Sequence, residues 1–132
     1  MHSVGAGGGS LTGANIVLEG LLAQAEIARL LAQSDVLIVP SLAENSPLVI
    51  PEAASQGCAS LVANVGGMPE LVDTLSCGGV FNSPADLVAK LTTFAAQSPN
   101  HKKTHRKNLI ATSKKVFSPR AVVAASDKVY AR

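Results

Sequence analysis

Residues 35–70 read DVLIVPSLAENSPLVIPEAASQGCASLVANVGGMPE, and the fold is decided in this stretch. Asp35 is followed by Val36, Leu37, Ile38 and Val39, and Pro40 stops the run. Four apolar residues in succession leave neither face of a strand polar, which indicates a strand buried on both sides, as in a parallel sheet. Pro47 to Gln56 reads as a helix. Proline in a helix interior removes a hydrogen bond and clashes with the preceding turn. Pro51 therefore predicts a helix that starts near Leu48, with Gly57 ending it as the C′ residue. Ala59 to Ala63 is the next strand. Asn64, Val65, Gly66 and Gly67 form a turn, and Pro69 to Leu75 a short helix.

The same alternation continues in both directions. Upstream, Asn15 to Leu18 is β-prone and ends at Gly20. Ala23 to Gln33 carries Ile27, Leu30 and Leu31 with Gln24, Glu26 and Arg29 between them, which is helical periodicity. Downstream, Gly79 to Phe81 is a short strand and Pro84 to Ala96 a helix with Asp86 in its first turn. Ser98 to Asn100 breaks that helix, and His101 to Val116 is a basic one. Ser118 and Pro119 read as an N-cap and first residue opening a last helix to Tyr130. Strands alternating with helices predict an α/β fold with a parallel sheet.

Composition narrows the function. The chain has 132 residues, 47% hydrophobic and 15% charged, enough for one domain with a core. Aromatic residues make up only 3%, so that core must be aliphatic, and stacking platforms for single-stranded nucleic acid are excluded. A formal charge of +2 gives no electrostatic footprint for nucleic acid. Cys58 and Cys77 have neither CxxC nor Cys/His spacing and read as free buried thiols. No basic-then-apolar leader opens the chain, and no apolar run is long enough to span a bilayer. The expectation is a soluble cytoplasmic protein.

The chemistry concentrates between Pro40 and Glu70. Glu44 and Glu52 are separated by seven residues. Glu44 follows the carboxyl end of a strand, where open α/β sheets bind ligands. Glu52 lies on the helix that follows. Between them the backbone amides of Ser46, Leu48 and Val49 open that helix, and free amides with the helix dipole favour an anion such as a diphosphate. A carboxylate accepts paired hydrogen bonds from ribose hydroxyls. Strand, carboxylate, helix start and second carboxylate together suit a sugar nucleotide.

This ordered set resembles the E-x7-E motif of glycosyltransferase family 4, with its GT-B fold of two Rossmann-like domains. The family's strand, Gly, helix, Asp-Val, strand, Pro-Ser, E-x7-E-Ala, Gly, strand, Gly-Gly-x-Pro-Glu can be followed from about Asn15 to Tyr130. The resemblance implies a Rossmann-like parallel sheet flanked by helices, part of the C-terminal, donor-binding domain. It divides the chain into a Gly-rich segment (1–14), a nucleotide-sugar-binding part (15–97) and C-terminal helices (98–132). It implies that Glu44 contacts the donor sugar near the reacting centre. Asn45, Ser46, Leu48 and Val49 offer backbone amides to sugar and phosphate, and Glu52 binds the ribose. Gly66 and Gly67 are either a turn needing positive φ or a further donor contact. The implied activity is transfer of a sugar from a nucleotide-diphosphate donor to an acceptor, with retention, no metal and no other cofactor.

Two departures qualify the resemblance. Where the family often has Gly-Phe-Gly after the first Glu, this chain has Asn45, Ser46 and Pro47, and Pro47 has no amide to donate. The basic side chains that neutralise the diphosphate in the family come from an earlier segment with no counterpart here, as does the acceptor-binding domain. Activity is therefore expected to need that missing part, the alternatives being a non-catalytic nucleotide-sugar module or an inactive truncated product. With strand one lacking a candidate and His2 to Gly5 read as a remnant of strand two, the Asp35–Val39 strand becomes an apolar sheet edge that invites self-association. Residues 5–13 suggest a phosphate loop but fit neither G-x-G-x-x-G, where Ser10 takes the last place, nor Walker A, where Ala14 replaces Lys. They read as a linker or truncated turn. His101 and His105 have metal-like spacing, but Lys102, Lys103, Arg106 and Lys107 surround them. This helix reads as a solvated basic surface that also suits peripheral contact with anionic lipid.

Overall fold

The computed structural model describes residues 1–4, 15, 17–42 and 48–117. Strand β3 (Val36–Val39) leads through α2 (Val49–Ser55) to β4 (Ala59–Ala63), and then through α3 (Met68–Leu75) to β5 (Gly78–Phe81). The three strands form one parallel sheet in the order β3-β4-β5, with Val36 opposite Ala59 and Ser60 opposite Gly78. Parallel neighbours need a crossover, and here each crossover carries one helix. All three strands therefore present their carboxyl ends, and the helix starts that follow, at one edge.

A second parallel pair joins β1 (His2–Val4) to β2 (Val17–Gly20), and α1 (Gln24–Gln33) leads from it to β3. Both strands fall where the sequence reads as extended, within His2 to Gly5 and in the run that ends at Gly20. Among the described residues β3 pairs only with β4. The side chains of β3 are not laid bare, however: Val39 is buried and Val36, Leu37 and Ile38 are half-buried.

The core is aliphatic, as the shortage of aromatics requires. Ile50, Ala54, Val62, Met68, Val72, Leu75, Cys77 and Leu109 form its main cluster, built from α2, β4, α3 and α5 (Pro99–Val116). A smaller cluster of Leu31, Ala53 and Cys58 locks α1 onto α2. Gly57, with φ of +77°, turns the chain after α2 and lies against Arg106. The Arg106 guanidinium donates to the carbonyls of Ala32 and Ser34, supplying a cation where the dipole of α1 is negative. Gly78 is required by close approach, since a methyl carbon there would lie 1.8 Å from the Ser60 carbonyl oxygen.

The difficulty posed by Pro51 resolves at α2. The helix begins at Val49, so Pro51 is its third residue, inside the turn whose amides have no acceptor within the helix. The break expected at Ser98 to Asn100 is present but lies at residues 96–98, so the basic helix starts two residues earlier than expected. Ser98 caps α5 by accepting from the His101 amide at 3.2 Å, and Pro99 is already its first residue. Ser83 caps α4 (Pro84–Ala95) the same way, accepting from the Asp86 amide at 3.1 Å. The last helix expected from Ser118, and the Gly-rich run 5–13, lie outside the described residues.

Candidate functional site

The carboxyl edge of the sheet is built from the starts of α2 and α3. Leu48 is the N-cap of α2, and the first bond of that helix runs from the Glu52 amide to the Leu48 carbonyl at 3.1 Å. The amides of Leu48, Val49 and Ile50 have no acceptor within the helix, and Pro51 has no amide to leave unpaired. The Leu48 side chain is 74% exposed.

Glu52 lies in the first turn of α2 and is half-buried. Its Oε1 accepts a hydrogen bond from Gln24 Nε2, on the first residue of α1, at 2.7 Å. Reading the sequence treated Gln24 only as a polar spacer. The signal that could have found it is positional: in a parallel α/β fold every helix start returns to the edge where the strands end. Glu44, Asn45 and Ser46 lie outside the described residues.

Gly66 and Gly67 follow the carboxyl end of β4, next in the sheet to β3, so they share this edge with Leu48, Val49 and Glu52. Gly66 takes φ of +55° and is exposed, while Gly67 caps α3. Both uses foreseen for this pair, turn and ligand contact, are therefore sterically compatible. Beside them Asn64 Nδ2 donates to Asn82 Oδ1 at 2.9 Å, and the Asn82 amide donates to Asp86 Oδ2 at 3.0 Å. Lys90 completes the chain with a 2.5 Å contact to Asp86, and it and the Asn82 amide hold that carboxyl below its usual range.

Other chemistry lies elsewhere. A cavity of about 320 Å³ opens at the opposite, amino ends of β4 and β5, lined by Ser60, Gly78, Lys90, Phe94, His101 and His105. It contains none of Leu48, Val49, Glu52, Gly66 or Gly67. Burial, then the charge of neighbouring His101, lowers the pKa of His105. Among the described residues no group of three or more His, Cys, Asp or Glu side chains could hold a metal ion. Cys58 and Cys77 are free and fully buried, as expected, and burial pushes both thiols up to about 11.

Two consecutive helix starts at one sheet edge, with a held carboxylate on the first and a glycine pair on the second, can be compared with known proteins. Residues 4–97 match the profile of the family described as Glycosyl transferases group 1. The chain belongs to that family. The matched segment of this glycosyltransferase domain runs from β1 to just past α4, so it contains every element of the carboxyl edge. Over 87 residues the chain is 34% identical to the sulfoquinovosyl transferase SQD2 of Arabidopsis thaliana. That match covers 62% of this chain and 17% of the plant enzyme, so the chain spans a minor part of that relative's length. Among the described residues no helix is long and apolar enough to cross a membrane.

Proposed function

We propose that this glycosyltransferase domain binds the donor, a nucleotide-diphosphate sugar, at the carboxyl edge of its sheet and supplies the donor side of a retaining sugar transfer. The observation that carries this reading is Glu52, held by Gln24 in the first turn of α2. Glu52 receives the ribose hydroxyls. The amides of Leu48 and Val49, with those of Asn45 and Ser46, face the diphosphate and sugar, and Glu44 contacts the donor sugar near the bond that breaks. Gly66 and Gly67 let the donor approach the neighbouring helix start without meeting side chains.

Charge develops on the departing diphosphate in the transition state, and preorganised donors aimed at it lower the barrier most. In this reading α2 supplies such donors and no resident metal takes part. Among the described residues one edge of β3 has no strand partner, which supports a chain that self-associates; a strictly monomeric mass by light scattering at high concentration would refute this.

Calorimetry with UDP, GDP and ADP tests the donor reading. Binding of at least one of them, lost in Glu52→Ala while the variant stays folded, is the expected result. Absence of binding to all three, or unaltered binding by Glu52→Ala, contradicts it.

A further inference from the structure

The contact between Gln24 and Glu52 joins two helices through side chains 28 positions apart, and no part of the E-x7-E pattern requires it. Both of its ends are fixed. At the start of α1, Glu26 Oε2 accepts from the Ala23 amide at 2.9 Å and sets the first turn. Along α1, Leu31 and Ile27 pack against Ala53 and Cys58. At its far end, Arg106 donates to the Ala32 and Ser34 carbonyls. Gln24 is therefore delivered to Glu52 from a helix anchored at both ends.

The chemistry of the pair is selective. A carboxylate offers about four acceptor sites. Gln24 takes one, on Oε1, and leaves Oε2 and the rest of Oε1 for other donors. A primary amide is neutral, so it orients the carboxylate without neutralising it, as Lys or Arg would. A vicinal diol needs two acceptors in a fixed direction, and an unheld Glu side chain would have to be ordered when the diol arrives.

We propose that Gln24 is a positioning residue: it holds the Glu52 carboxylate in the orientation that receives the two ribose hydroxyls, so ribose recognition depends on the packing of α1 against α2. The proposal rests on the reading of Glu52 as the ribose ligand. It makes the choice of ribose over a sugar lacking those hydroxyls a property of two elements rather than of α2 alone.

The test compares UDP, GDP and ADP with their 2′,3′-dideoxy counterparts by calorimetry on the unmodified chain, Gln24→Ala and Glu52→Ala. The unmodified chain is expected to prefer the ribose form. Gln24→Ala should bind that form roughly three- to tenfold more weakly, the size of one ordinary hydrogen bond lost in an open site. It should bind the dideoxy form unchanged, so the ratio between the two shrinks. Its melting temperature should not move, because Gln24 is exposed. A ratio unaltered in Gln24→Ala but abolished in Glu52→Ala overturns the positioning role and leaves Glu52 as ribose ligand. Equal weakening of both forms overturns it as well. A full ratio retained by Glu52→Ala, or no nucleotide binding by the unmodified chain, removes the donor reading and this inference with it.

Discussion

Gly78→Ala is the substitution whose effect the geometry determines most sharply. A methyl carbon at Gly78 would lie 1.8 Å from the Ser60 carbonyl oxygen, 2.7 Å from its carbon and 2.9 Å from its nitrogen. All three are backbone atoms of β4 and cannot rotate away. Carbon and oxygen settle at about 3.3 Å in the closest favourable contacts, so β5 would have to retreat by about 1.5 Å. The Ser60 amide donates to the Cys77 carbonyl at 2.8 Å beside this point, and such a retreat carries that bond beyond hydrogen-bond range. Overpacking costs about 1–3 kcal/mol and a broken buried backbone bond about as much again, so a loss of about 2–6 kcal/mol is expected. That is a large part of the 5–15 kcal/mol typical of a domain's whole stability. The neighbouring position is the control. A methyl at Gly79 meets Leu61 Cδ2 at 3.3 Å and the Lys90 stem at 3.8 Å, all side-chain atoms that can shift, so Gly79→Ala should cost about 1 kcal/mol or less. In urea unfolding, Gly78→Ala should lower the midpoint by about 1 M or more, and Gly79→Ala by far less. Equal midpoints for the two variants would refute the close strand approach.

Two further outcomes follow from buried groups. Burial raises the Cys58 and Cys77 thiols from 9.0 to about 11, so between those values the unfolded chain releases protons that the folded chain keeps. Their contribution to stability is complete below pH 9, falls as pH rises, and levels off near 11, with about 3 kcal/mol at stake for each thiol. Urea midpoints across this range should show the decline, and rapid labelling of both thiols in the folded chain at pH 8 would contradict their burial. Arg106→Ala removes the donors to Ala32 and Ser34 and the side chain lying on Gly57, and should lower stability by about 1–2 kcal/mol. Arg106→Lys should recover only part of this in the same denaturation assay, because an ammonium cannot reproduce the fork.

Much of the fold is legible in the sequence because local and long-range signals agree. The Val36–Val39 and Ala59–Ala63 runs are strands by composition and become neighbours because each is apolar on both faces. Gly57 ends α2 because only a residue free of a Cβ takes its positive φ without strain. The Ser-Pro signature was legible too, yet at Ser98 and Pro99 it reads equally as a break. What decides for a helix start is that His101 and the following basic residues continue in register from it. The Gln24–Glu52 contact was not legible, because no pattern within either helix relates residues that only the sheet topology brings to one edge. The same limit applies to Gly78, whose need for close approach arises from the register of β5 against β4.

The central claim is that the donor nucleotide lies against the carboxyl edge, and mapping backbone amides by proton–nitrogen correlation spectra during a nucleoside diphosphate titration tests it most directly. The largest changes are expected at Leu48, Val49, Ile50, Gly66 and Gly67, with the Gln24 side-chain amide responding to the ribose form alone. Changes confined to His101, His105 and their neighbours at the amino ends of the strands, or none at saturating nucleotide, would contradict it.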